Sequence, residues 1–176
     1  MGCSLEFVLG GVDYDKYMEC DLRNNDPKWI RFLADAVDSG KIPDIDNHLN
    51  WMTHIPDRPE HCGMDEVSIC FAHSRNCFPT KNEDLTRMYL EGREQVAILA
   101  KFIKENVPGF EKSYLSYTGS LLGVRESRRI VGEYIFKGMD IAYARKFDDV
   151  ITISQHGFDI HGFTCSGNMK WFKGKL

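Results

Sequence analysis

Three arginines and a glutamate stand close together in the segment GVRESRRIVGEY, residues 123–134. They are Arg125, Glu126, Arg128 and Arg129, and the segment contains no lysine. A guanidinium group offers a rigid, planar set of donors that matches a carboxylate or a phosphate. One interpretation is therefore that an arginine face lines a cleft and holds a carboxylate, a phosphate or an anionic cofactor.

Two other interpretations of this segment stay open on the residues alone. On a strand, Arg125 and Arg129 would share one face with Ser127, while Glu126 and Arg128 would point the other way. Such a strand could be a solvated outer face with internal ion pairs, which are common and weak. A basic patch for nucleic acid is disfavoured, because two glutamates dilute the charge and no aromatic residues interleave it.

The histidines and cysteines suggest a second possible site but no metal. His161 lies in the sequence DIHG, and in an extended segment Asp159 would share its face and could orient it. A loop histidine satisfied by backbone is the alternative. The six histidines and six cysteines contain neither C-x-x-C nor H-E-x-x-H, so we predict no metal site.

Length and composition indicate one soluble domain over residues 1–176. The chain is 43% apolar and carries a net charge of -4, which disfavours nucleic acid and anionic membranes as partners. It has no signal peptide and no long apolar run. With cysteines read as free thiols, we expect a cytoplasmic location.

The first half of the chain shows strand and helix patterns. Alternation predicts strands over residues 3–9, 49–53 and 65–73, with Gly10-Gly11 ending or bulging the first. Asp26-Pro27 predicts a helix start, and Gly40 can close that helix. The apolar face of this helix is predicted from i, i+3, i+4 spacing to contain Ile30, Leu33, Ala34 and Val37.

The second half opens with the longest helix, over residues 81–106. Thr80 and Glu83 predict a capping box at its start, and Gly92 on its apolar face predicts close packing on a strand. Short strands are predicted over residues 114–117, 122–126, 129–134 and 150–154, with a short helix within 138–146. The fold class is therefore α+β, with a mixed, mostly antiparallel sheet and the long helix packed on one face.

Several segments together resemble a family of FAD-dependent oxidoreductases. They are LLGVRESRRIVGEYIF followed by Asp140, then FDDVI and FDIHG, with EDLTRMYLEGREQVAILAKFIKENVPGFEKSYL and SLEFVLGGVD upstream. The resemblance covers nearly the whole chain. The family's dinucleotide-binding motif G-x-G-x-x-G does not occur here, so the resemblance implies the substrate-side, or cap, domain alone.

The resemblance also implies a chemistry and a set of residues. The full enzyme would pass a hydride from a small-molecule substrate to FAD. Arg125 and Arg129 would face a substrate anion or reduced flavin, Glu126 and Arg128 would support the site, and His161 would lie near the pocket mouth. This chain alone is expected to be inactive and to bind FAD weakly or not at all.

The resemblance therefore also implies a partner, a separate FAD-binding chain. A competing hypothesis is a non-catalytic binding or assembly module that self-associates as a homodimer through exposed apolar surface. A module that binds acidic ligands is a third.

Overall fold

The computed structural model describes residues 3–20, 27–43, 52–55, 65–74, 76–125 and 127–153. Its elements, in chain order, are β1 (Cys3–Val12), α1 (Tyr14–Glu19), α2 (Pro27–Asp38), β2 (Met52–Ile55), β3 (Asp65–Ser74), α3 (Asn82–Asn106), β4 (Tyr114–Thr118), β5 (Gly123–Val124) and α4 (Gly138–Ala142). The described residues up to Ser127 form one compact unit, and residues 128–153 belong to a second. Two compact units can belong to one folding domain or to two, so the single domain over residues 1–176 stays a prediction.

All five strands of the first unit belong to one antiparallel sheet. The order is β2-β3-β1-β4, and β5 also pairs with β1. Residues Phe7 to Gly10 of β1 pair with β4, while Cys3 and Ser4 pair with β5 along the same edge. With the long helix α3, this sheet confirms the predicted α+β class.

The central strand β1 supplies the core face of the sheet. Leu5, Phe7 and Leu9 are each at most 1% exposed, and they pack in one cluster with buried side chains of α2 and α3. A Cβ atom added to Gly92 of α3 would lie 3.1 Å from the Leu5 Cβ. The close approach predicted for Gly92 is therefore confirmed, and it brings α3 directly onto β1.

The helix α2 forms where predicted, but its buried face is different. Trp29, Leu33 and Ala36 are buried, whereas Ile30 is 42% exposed. The reason is that the Trp29 ring has the largest apolar area on this helix and is completely buried. Phe32 stacks on Trp29 at 5.5 Å and on Phe102 of α3 at 5.3 Å. Burial of these rings sets the rotation of the helix.

Two helix starts differ from the sequence prediction. The capping box of Thr80 and Glu83 is wrong, because α3 begins after Lys81 and no side chain caps its first turn. The Asp84 carboxylate instead accepts from the Phe78 backbone N–H at 2.8 Å, which holds the preceding turn. The helix α1 was not predicted; Asp13 caps it by accepting from the Lys16 N–H at 3.0 Å.

The predicted strands over 129–134 and 150–154 are wrong for their described residues, which form no strand. A β-prone segment becomes a strand only where a neighbouring strand accepts its hydrogen bonds. The short helix predicted within 138–146 is confirmed as α4. No helix among the described residues is both long enough and apolar enough to cross a membrane.

Replacing Gly92 by valine tests the contact between α3 and β1. We expect Gly92→Val to lower the free energy of unfolding by about 1–3 kcal/mol, because the new methyl groups would collide with Leu5. Urea unfolding followed by circular dichroism measures this. The matched change at the exposed neighbour, Arg93→Val, should cost well under ~1 kcal/mol. Equal losses for the two variants would contradict the packing.

Candidate functional site

The face of the sheet opposite α3 carries a group of polar side chains around Arg125. The side chains of β1 alternate, so Ser4 and Glu6 point away from the core that holds Leu5 and Phe7. The Arg125 Nη2 atom lies 3.3 Å from the Ser4 Oγ, to which it donates. The same Nη2 lies 3.9 Å from the Cys70 Sγ. These contacts hold the guanidinium group of Arg125 against the outer face of the sheet.

Local strand geometry explains why Arg125 arrives at this place. Gly123 and Val124 of β5 pair with Ser4 and Cys3, so the next residue starts beside the end of β1. A Cβ atom on Gly123 would lie 2.7 Å from the Ser4 Oγ. Only glycine therefore lets β5 approach the Ser4 hydroxyl without displacing it.

Cys70 lies between a carboxylate and the guanidinium. It is the direct cross-strand partner of Glu6, whose carboxylate acts on the pKa of the thiol. Burial raises the pKa of the Cys70 thiol, and the Glu6 charge raises it further, while Arg125 opposes the shift. The thiol is therefore protonated at neutral pH and is a poor nucleophile, and its sulfur accepts from the Arg125 guanidinium.

A pair of thiols lies inside the core. The Sγ atoms of Cys3 and Cys77 are 4.0 Å apart, and both residues are 1% exposed beside Met88. Burial and the neighbouring Cys77 raise the pKa of Cys3 to about 11. Burial makes both thiols unreactive, and the high pKa of Cys3 adds to this, so we assign them a packing role.

His54 contacts two residues that line a cleft at one end of the sheet, an arrangement that the sequence did not reveal. The cleft has a volume of about 500 Å³, and Tyr14 and Asp65 are among its lining residues. The His54 ring stacks on Tyr14 at 3.7 Å, and its Nε2 lies 3.0 Å from an Asp65 oxygen without hydrogen-bond geometry. Only the pairing of β2 with β3 brings these residues together, and no spacing in the sequence signals it.

Metal binding has no support in the described part of the chain. No group of three or more His, Cys, Asp or Glu residues there is placed to hold an ion.

The second unit contains a charged and aromatic cluster. The buried Asp140 carboxylate accepts from the Tyr134 hydroxyl at 2.8 Å and from the Lys137 backbone N–H at 2.7 Å. The Arg145 guanidinium donates to the Tyr134 hydroxyl at 2.7 Å and lies 5.0 Å from the centre of the Phe147 ring. The Lys137 N–H, Tyr134 and Arg145 hold the pKa of Asp140 below its usual range. This cluster organises the segment that follows the arginine motif.

The predicted site residues fall into three groups. Arg125 lies on the outer face of the sheet, in the first unit. Arg128 and Arg129 are exposed, belong to the second unit and lie in no strand, so the shared strand face predicted for Arg125 and Arg129 is wrong. Glu126 and His161 lie outside the described residues. Ser4, Glu6 and Cys70 were missed, although the alternation of β1 already placed Ser4 and Glu6 opposite the apolar side chains.

The described residues suit the binding of one anionic group better than the binding of a whole dinucleotide. A pyrophosphate is normally held by a glycine-rich turn and the N-terminus of a helix. Here α3 carries Glu83 and Asp84 in its first turn, and α1 carries Asp15 after the capping Asp13. These carboxylates would repel a pyrophosphate, whereas the Arg125 guanidinium suits one anionic group.

Comparison with known proteins supports the class that these residues suggest. A family model described as FAD dependent oxidoreductase matches residues 6–175. Because the match covers nearly all of the chain, this protein belongs to the FAD-dependent oxidoreductase family. Neither the curated proteins nor the solved structures contain a significant match.

Alkylation of Cys70 tests the electrostatics of the outer face. Glu6 raises the pKa of Cys70 and Arg125 lowers it, so Glu6→Gln should shift the alkylation midpoint to lower pH and Arg125→Gln to higher pH. A change of a few tenths of a unit alters the rate about two- to threefold near neutral pH. Iodoacetamide labelling, mapped by mass spectrometry, measures this. Cys3 and Cys77 are internal controls that should stay unlabelled, and shifts in the same direction for both variants would contradict the arrangement.

Acid and mutation test the cluster of the second unit. The pKa of Asp140 in the folded chain is lowered from 3.8. Its contribution to stability is therefore present above pH 3.8 and is lost as the pH falls through the pKa of the folded state. Asp140→Asn should mimic this loss at pH 7 and speed tryptic cleavage after Lys137 and Arg145 by about threefold or more. The exposed Asp148→Asn is the matched control. Unchanged cleavage in Asp140→Asn would show that the cluster does not order this segment.

Proposed function

We propose that this chain supplies the substrate-side surface of an FAD-dependent oxidoreductase. The observation that carries the proposal is the position of Arg125. Its guanidinium is held by Ser4 and Cys70 on the face of the sheet that α3 does not cover. A fixed, exposed cation on this face suits a role as one wall of a site whose opposite wall comes from elsewhere.

In this proposal Arg125 binds the anionic group of the substrate or faces the negative charge of reduced flavin. Its fixed position matters because a preorganised charge need not reorganise during the reaction. Arg128 and Arg129 are proposed to contribute further positive charge, with Glu126 as support. His161 is proposed to lie near the pocket mouth. Roles for these four residues are inferred from the family motif that they match.

FAD is the cofactor of the proposed complete enzyme, in which it would accept the hydride from a small-molecule substrate. The protein side of that reaction is orientation and charge. Carboxylates at the starts of α1 and α3 oppose a pyrophosphate, so we propose that this chain alone binds FAD weakly or not at all and is inactive. A separate FAD-binding chain would then be its partner. The free thiols of the described cysteines support a reducing, cytoplasmic setting.

Exposed apolar side chains in the second unit support a second candidate function. Ile130, Val131 and Ile151 are each at least 90% exposed, and Ile153 is 83% exposed. Apolar surface of this kind commonly marks an interface. The alternative is therefore a non-catalytic module that self-associates as a homodimer, and sedimentation at several protein concentrations separates it from a chain that stays monomeric.

Flavin binding by the pure chain tests the first part of the proposal. We expect a dissociation constant above about 10 μM when FAD fluorescence is titrated with protein, because carboxylates at the starts of α1 and α3 oppose a pyrophosphate. A submicromolar complex would contradict the claim that the chain alone binds FAD weakly.

Reconstitution tests the second part. The chain is co-expressed with a FAD-binding chain encoded beside it that carries G-x-G-x-x-G, and flavin content and substrate-dependent flavin reduction are measured. Arg125→Ala should leave flavin content unchanged and slow reduction about tenfold or more. Glu94→Ala, an exposed change on α3, is the control. Reduction that does not depend on this chain would contradict the proposed function.

A further inference from the structure

The hydroxyl group of Tyr89 joins the long helix α3 to the turn between β4 and β5. It donates to the Ser120 backbone carbonyl oxygen at 3.1 Å and accepts from the Leu122 backbone N–H at 3.0 Å. A phenol has one donor and can also accept, so this single group uses both functions on one turn. The turn is therefore tied to α3 at two points.

This turn leads directly into the strand that precedes Arg125. The Val124 N–H donates to the Leu122 carbonyl oxygen at 2.9 Å, and Gly123 and Val124 form the whole of β5. A pairing of two residues is short and stabilises a strand little by itself. The placement of β5, and of the Arg125 backbone that follows it, therefore depends on how firmly the turn is held.

The apolar side of the same turn also contacts residues of the core. The Leu122 side chain packs against the buried group of Cys3, Cys77 and Met88, and Met88 is the neighbour of Tyr89 in α3. Apolar packing brings the turn close but does not direct its backbone, because the hydrophobic effect is non-directional. Hydrogen bonds prefer an angle as well as a distance, so the two bonds of Tyr89 orient the backbone.

We propose that Tyr89 is a positioning residue for Arg125. By fixing the backbone of residues 120–122, its hydroxyl sets the direction in which β5 leaves the turn and so brings the guanidinium to the Ser4 hydroxyl. Because α3 and the guanidinium lie on opposite faces of the sheet, Tyr89 acts through the backbone rather than on a ligand. The importance of this for the reaction rests on the proposed function of Arg125.

A conservative variant isolates the two hydrogen bonds. Tyr89→Phe removes the hydroxyl and keeps the ring. Ser120 is exposed and its carbonyl can bond to water instead, so the fold should persist, and unchanged circular dichroism checks this. Thr86→Val is the matched control, because it removes another hydroxyl from α3, one that bonds within the helix to the Asn82 carbonyl oxygen at 3.0 Å.

Amide hydrogen exchange of the complete 176-residue chain, followed by nuclear magnetic resonance, measures the local effect. In Tyr89→Phe we expect the Leu122 and Val124 amides to exchange about three- to tenfold faster, since losing hydrogen bonds makes local opening easier. The amides of Phe7 and Leu9 in β1 should be unchanged. Equal acceleration at all four positions would mean general destabilisation and would contradict a positioning role.

The Cys70 thiol reports the position of the guanidinium, because Arg125 lowers its pKa. In iodoacetamide labelling, Tyr89→Phe should move the pH midpoint of Cys70 upward, as Arg125→Gln does. The same change made in the Arg125→Gln background should add no further upward shift, and Thr86→Val should shift neither background. The proposal requires the shift to be more upward with the arginine present, so equal shifts in the two backgrounds, or none, would overturn it.

Flavin reduction in the reconstituted enzyme separates the positioning by Tyr89 from the proposed function. Tyr89→Phe should leave flavin content unchanged, slow reduction about threefold or more, and slow Arg125→Ala no further. If the labelling shift depends on Arg125 but neither variant slows reduction, the positioning stands and the proposed role of Arg125 is wrong. If Arg125→Ala slows reduction and Tyr89→Phe does not, the proposed function stands and Tyr89 is not a positioning residue for it.

Discussion

The antiparallel pairing of β1 on both of its edges is the constraint on which the rest of the first unit depends. β3 occupies one edge, and β4 and β5 follow one another along the other. A strand held on both edges cannot slip by one residue without turning Leu5, Phe7 and Leu9 to the wrong face. The same register therefore keeps the core buried and keeps Ser4 and Glu6 on the outer face.

That register links stability to the candidate site. The helix α3 approaches Leu5 through Gly92 from one side, while Arg125 contacts Ser4 from the other. Alternate residues of β1 thus pack in the core or face the charged group on the outer side of the sheet. Because Ser4 is only 4% exposed, its hydroxyl is a fixed anchor for the guanidinium rather than a mobile surface group. Such fixation is what an electrostatic role toward a ligand requires.

The two units carry the arginine motif in different ways. Arg125 belongs to the first unit and is held by the sheet, whereas Arg128 and Arg129 belong to the second, whose order comes from Asp140 with Tyr134 and Arg145. A motif that looks continuous in sequence is therefore held by two separate sets of contacts. Membership of the FAD-dependent oxidoreductase family gives this motif its functional meaning, and the contacts show how each part is held.

The sequence by itself determined the α+β class, the long helix, most strands of the first unit and the close approach at Gly92, because these depend on local periodicity and residue size. It also singled out Arg125. Tertiary structure alone decided the rotation of α2, where Trp29 outweighs the periodic pattern, and the loss of strand structure over 129–134, where no described strand pairs with it. It alone brought Ser4, Glu6 and Cys70 to Arg125, since cross-strand register joins residues that are far apart in the chain and leaves no trace in local spacing.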